Sequence, residues 1–123
     1  MNANPLFRIA AIFNFVVGSG LLLAYSWTAP LLGIDGPPTV WFHITTGIVL
    51  LFGYAYWRIS RDPVTNRPLI VMGAAGKLIF AAAIYAHWLA GSASGMMALL
   101  VTADVVFAAL YIAYLRSNPV ARA

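Results

Sequence analysis

The sequence predicts an all-α integral membrane protein, a single four-helix bundle with its N- and C-terminal ends on the cytoplasmic side. Three observations carry that prediction. Hydrophobic residues make up 63% of the 123 and charged residues only 8%, with a mean hydropathy of +0.88, a balance that soluble domains do not show. Four apolar runs, roughly 6–25, 40–57, 69–90 and 95–115, lie near the ~20 residues that a helix needs to cross ~30 Å of hydrocarbon. Arginines gather at alternate ends of these runs. Arg8 opens the first, Arg58, Arg61 and Arg67 join the second to the third, and Arg116 and Arg122 follow the fourth. The other two connections carry no Lys or Arg, so the positive-inside rule puts both termini and the middle loop in the cytoplasm. Helices are the expected form, because backbone polar groups in lipid must be paired within the segment, and the period-2 alternation of a barrel strand is absent.

The first span, opening "RIAAIFNFVVG", carries one strongly polar residue, Asn14, with Gly18 one turn later. It is too long for a signal-peptide core and leads into Trp27 and Pro30 rather than a small-residue cleavage site, so it reads as a retained helix. The connector "SWTAPLLGIDGPPTVW" cannot be one continuous helix, given Gly33, Gly36, Pro37 and Pro38. Its "LLGI" core between Trp27 and Trp41 leaves open a short interfacial helix, a re-entrant dip or a plain connector, since tryptophans favour the headgroup level.

The second span is the shortest of the four and brings His43 near its outer start. It leads into "WRISRDPVTNRP", the one strongly polar loop. Asp62 before Pro63 suits a turn or a helix N-cap, and Pro68 suits the first turn of a helix. Arg58, Arg61 and Arg67 are expected to snorkel to lipid phosphates, with Asp62 paired locally. Membrane lipids are the expected partners, and a homodimer or larger membrane complex is compatible with the sequence. Nucleic acid is not expected, because the sparse basic residues form no clustered patch and the +4 net charge is a topology signal.

The third span holds Lys77 inside "VMGAAGKLIFAAAIY". Counted from residue 69 at ~1.5 Å per residue, it lies ~12 Å from the cytoplasmic edge, close to the membrane centre. Asp104 on the fourth span, counted inward from the other side, reaches a similar depth, and so does Asn14. A charge at the centre of a bilayer costs at least ~2.5–3.5 kcal/mol on insertion scales, so such residues face the bundle interior and pair. The short "AGSASG" connection makes the last two spans antiparallel neighbours, and the expectation is a buried Lys77–Asp104 ion pair with Asn14 hydrogen-bonded to it.

Two accounts fit that cluster. One is structural glue, in which polar contacts and the small residues Gly73, Ala74, Gly76 and Ala81 fix which helices meet. The other is a site holding a polar headgroup or exchanging a proton, the latter disfavoured because each partner stabilises the charge of the other. His43 and His87, at similar shallow depth near Trp41 and Trp88, are candidate haem or metal ligands; Asp35 is the one carboxylate placed to support them. Aromatics within the spans, such as Phe13, Phe52, Phe80 and Phe107, suit core packing or a lipid, sterol, quinone or pigment pocket. Tyr54, Tyr56, Trp57, Tyr111 and Tyr114 crowd the cytoplasmic ends as an interfacial belt.

Several chemistries are excluded. The chain has no Cys and no Glu, which removes disulfides, thiol catalysis and Cys-held centres, and no HExxH, GxSxG, P-loop or GxGxxG motif is present. Small multidrug transporters share the length and the span count, but that family depends on a glutamate in its first helix, where this chain has Asn14.

"RIAAIFNFVVG", "GYAYWRISRDP" and "RPLIVMGAAGK" together resemble a group of small four-helix bacterial membrane proteins and, more distantly, DoxX-like proteins. The motif-like positions are Arg8, Asn14, Gly18, Asp62, Pro63, Gly73, Gly76 and Lys77. The resemblance implies the fold and topology and supplies no activity; DoxX-like proteins are associated with quinol oxidation or redox-complex assembly, and no residue here inherits that role. The reading favoured is a non-enzymatic binding or accessory subunit of a bacterial inner membrane, whose cluster Asn14, Lys77 and Asp104 organises the bundle and a lipid or small polar ligand. The alternatives are a redox subunit holding haem or quinone and a small dimeric transporter.

Overall fold

The computed structural model describes residues 3–120, so Arg122 lies outside the described residues. Five helices follow one another: α1 (Ala3–Leu23), α2 (Tyr25–Leu31), α3 (Val40–Arg61), α4 (Arg67–Leu89) and α5 (Gly95–Ser117). Among the described residues there is no strand. The four long helices are each long and apolar enough to cross a membrane. The second span is not short: α3 has 22 residues, because helix continues through Arg58 and Arg61, whose heads fold back on the Tyr54 hydroxyl and the Trp57 ring one turn earlier.

Local signals set the helix ends. The hydroxyl of Thr39 accepts from Phe42 N and opens α3; that of Ser94 accepts from Met97 N and opens α5. Pro68 sits in the first turn of α4, where its missing N–H leaves no bond unmade. α2 and α4 stop in the same way. Ile34 N bonds Ala29 O and Gly33 N bonds Pro30 O, just as Ser92 N bonds His87 O and Gly91 N bonds Trp88 O. Both turns need a left-handed residue, supplied by Gly33 (φ 69°) and Gly91 (φ 82°). The connector thus holds a seven-residue helix, and it covers Tyr25–Leu31 rather than the "LLGI" stretch. Asp62 makes a turn and not an N-cap: its carboxylate accepts from Thr65 N, while Asn66 donates to Arg58 O and Asp62 O.

α1 packs along α3 and α4 along α5 over most of their length, whereas α3 and α4 meet more sparingly. Glycines allow the close approaches. A Cβ on Gly73 would stand 2.7 Å from Tyr56 Cε1, and one on Gly53 would stand 3.3 Å from Asn14 Cβ. The two helix pairs join at the basic end, where Phe7, Ile59, Ile70, Tyr56, Tyr111 and Tyr114 form a buried core. Phe7 stacks on Tyr111 with ring centroids 4.8 Å apart, and Tyr56 lies 5.4 Å from the same ring. The interfacial belt expected at this end is therefore only partly present. Tyr54 and Trp57 are exposed, but Tyr56, Tyr111 and Tyr114 are buried, because they fall on the inward faces of α3 and α5 and tie the pairs together by ring packing.

Candidate functional site

Above that aromatic core the helix pairs diverge, and the polar residues meet at the point of divergence. Lys77 lies ten residues after Arg67 and twelve before Leu89, about 15 and 18 Å from the two ends of α4. Its Nζ is 2.6 Å from Asp104 Oδ1 on α5 and donates to Asn14 Oδ1 on α1 at 3.3 Å. Asn14 Nδ2 in turn donates to the backbone carbonyl of Val49 on α3 at 3.0 Å. All four long helices therefore share one hydrogen-bonded chain. Lys77 and Asn14 are buried, whereas the Asp104 side chain keeps 15% of its surface open.

Three rings enclose the ammonium. The centroids of Phe107, Tyr56 and Phe13 lie 5.1, 5.2 and 5.6 Å from Nζ, within range for attraction between a cation and ring faces. Tyr56 itself is held by Gly73 behind it and points its hydroxyl at Gly73 O. The rings come from α1, α3 and α5, so the cage forms only when the helices have assembled.

A cavity of about 340 Å³ extends from this cluster toward the end opposite the arginines. Asn14, Lys77 and Asp104 form its floor, Val17, Val49 and Leu100 stand in its walls, and Leu32 and Ile34 from the segment after α2 lie across its outer end. Its surface is almost wholly apolar away from the floor. Apolar walls with a few convergent polar groups are what ligand pockets generally show.

The other candidate residues lie elsewhere. His43 is exposed at the start of α3, with its ring against Phe42. His87 is also exposed, and its Nδ1 is 2.8 Å from Ser92 Oγ in the turn that follows its own helix. Neither lines the cavity, Asp35 is exposed in the outer connector, and among the described residues no three His, Asp, Glu or Cys side chains are grouped to hold a metal. In the basic loop, Arg58 donates to the Tyr54 hydroxyl and the Arg61 guanidinium lies 5.7 Å from the Trp57 ring. Asp62 pairs with no arginine: among the described residues the only ion pair is Lys77–Asp104. Hydrogen bonds from the side chain and backbone of Thr65 hold the Asp62 carboxyl below its ordinary value. Arg67 does not snorkel outward; it donates to the carbonyls of Leu115 and Asn118 and so caps the end of α5.

Sequence reasoning missed the caging of Lys77 by rings and the role of Arg67; a pocket was one of the two accounts it left open for the cluster and the span aromatics, and Phe13, Phe52 and Phe80 do line the cavity. The spacing of Lys77 from Gly73, one helical turn away, was a usable signal for an aromatic neighbour. No family model, curated protein or solved structure matches this chain.

Proposed function

We propose that this is a small multi-pass protein of a bacterial inner membrane that serves as a binding or accessory subunit, holding an apolar ligand with a polar head in the cavity above Asn14, Lys77 and Asp104. One observation carries this reading: the ion pair is the floor of an open cavity, and the Asp104 carboxylate reaches into it. Glue alone needs no approach to the charged groups, and a pair serving only to hold helices together is best enclosed by side chains on every side. The paired cluster still organises the bundle, since it links α1, α3, α4 and α5. Binding and organisation are two uses of the same residues.

Extraction of the purified protein, followed by mass spectrometry of the organic phase, tests the reading. A single amphiphile recurring in near-stoichiometric amount is expected, and Leu100→Trp, which fills the cavity from α5, should deplete it while helicity by circular dichroism is unchanged. Lipids present only in their bulk membrane proportions, in both proteins, would overturn it. The haem alternative draws nothing from the positions of His43 and His87, neither of which lines the cavity.

A further inference from the structure

The shape and chemistry of the cavity narrow its occupant. Among its lining residues, those of α1 and α5 are buried or half-buried, whereas Thr45, Ile48 and Ile79 are exposed. Ile48 is 44% and Ile79 70% exposed, and they sit on α3 and α4, the neighbouring helices that meet sparingly. The mouth therefore opens sideways between α3 and α4, toward lipid.

The aqueous side is roofed. Leu32 and Ile34 lie across it, and Ser94 Oγ donates to Leu32 O at 2.6 Å, fastening the roof to the start of α5. Gly33 fits so tightly there that a Cβ would stand 2.8 Å from Ser94 Cβ. A ligand thus enters from the bilayer and not from water.

The floor then selects the head. Lys77 and Asp104 at 2.6 Å form a neutral pair, so an anionic head meets repulsion from the carboxylate that faces the cavity, and a charged head of either sign leaves a net charge at a depth where charge is costly. Lys77 directs its donors to Asp104 and Asn14 and is otherwise faced by three rings. Among the described residues, Lys77 is the one hydrogen-bond donor to Asp104, on Oδ1. A carboxylate has acceptor sites on both oxygens, and here the second belongs to the side chain that opens into the cavity. The floor asks for a hydrogen-bond donor without charge. A carbonyl head would leave that acceptor unfilled, whereas a hydroxyl fills it. A phospholipid headgroup is ruled out by depth, because the floor lies about 14 Å from the outer end of α5 (nine residues after Gly95) while such heads stay at the interface.

On the reading of this cavity as a ligand site, we infer that its occupant is a neutral, membrane-dissolved amphiphile with a single hydroxyl head, which slides in between α3 and α4 and donates that hydroxyl to Asp104.

The test uses the protein in liposomes and a diazirine-bearing hexadecanol as the photoactivatable probe, with labelled peptides mapped by mass spectrometry. Saturable labelling of the peptides carrying Val49, Phe80 and Leu100 is expected, and unlabelled hexadecanol should compete for it. Its methyl ether should compete about tenfold less well, having lost the hydrogen bond to a charged acceptor, and hexadecyl phosphate and hexadecylamine should compete no better than the ether. Ile79→Trp, at an exposed position where the fold is not at stake, should reduce labelling by a similar factor by obstructing the mouth. Equal competition by ether and alcohol, or better competition by the phosphate or the amine, overturns the choice of head and leaves the cavity as a ligand site. Labelling unchanged in Ile79→Trp overturns the lateral entry. Absence of saturable label in the lining peptides overturns the ligand site itself.

Discussion

Replacing Lys77 by methionine keeps the length of the side chain and removes its charge, which leaves Asp104 without its cation in the middle of the bundle. Removing one partner of a buried ion pair costs about 3–5 kcal/mol, and among the described residues no hydrogen-bond donor other than Lys77 reaches the carboxylate. The reverse change is milder. In Asp104→Leu the ammonium keeps Asn14 Oδ1 at 3.3 Å and the three rings within 5.6 Å; cation–ring attraction in a desolvated site is worth about 2 kcal/mol, so the expected cost falls to about 1–3 kcal/mol. Joined in one chain, the changes avoid any unpaired charge, and the double variant should sit at least about 2 kcal/mol above the sum of the singles. Reversible unfolding in mixed micelles with rising dodecyl sulfate, followed by far-ultraviolet circular dichroism, measures all four proteins. Strict additivity would refute the pair as a unit, and a greater loss in Asp104→Leu than in Lys77→Met would refute the sheltering role of the rings.

Further outcomes follow from the packing and the loops. Gly73→Ala should destabilise by about 1–3 kcal/mol through overpacking, because its Cβ meets the buried Tyr56 ring; Gly18→Ala meets the flexible end of Leu50 and should cost less, both read from thermal unfolding in detergent. Arg67→Ala should weaken the end of α5 by about 1 kcal/mol through two lost backbone hydrogen bonds, detected as faster amide exchange at Leu115 to Asn118. For Asp62, the folded carboxyl titrates below the unfolded one, so its contribution to loop stability is complete above the ordinary Asp value, about 3.9, and fades as pH falls through the lower folded value. Carboxyl-carbon NMR of Asp62 should accordingly show a midpoint under the ordinary value, with Thr65 amide protection unchanged from pH 5 to 8.

Much of the fold was legible because membrane crossing is a constraint on length and composition. The four apolar runs and the alternating arginines needed no knowledge of neighbours. The depth of Lys77, Asp104 and Asn14 followed from a rise of about 1.5 Å per residue, and rarity did the rest: with one charged residue on each of two adjacent helices' central turns, few pairings were available. Which face of each helix turns inward was harder to read. In α4 and α5 apolar residues surround the helix, so lipid-facing Ile79 and Leu99 look like core-facing Ile70 and Val101, and in lipid both faces are equally content. That is why Tyr111 and Tyr114 read as a belt, and why the cavity stood in the sequence only as one of two accounts of the polar cluster. The fate of Arg67 depended on where the end of α5 comes to rest, a long-range fact absent from its own loop.

Lys77 and Asp104 stand 27 positions apart along the chain, on two helices joined by one tight turn at Gly91. Their mutual neutralisation is therefore available to that helical hairpin alone, before the first half of the molecule has docked. Within that hairpin the two charges compensate one another, and Asn14, Phe13 and Tyr56 from the other half surround a centre that carries no net charge. The charge balance of the molecule's centre is thus a property of one helical hairpin, whereas its ring cage needs all four long helices.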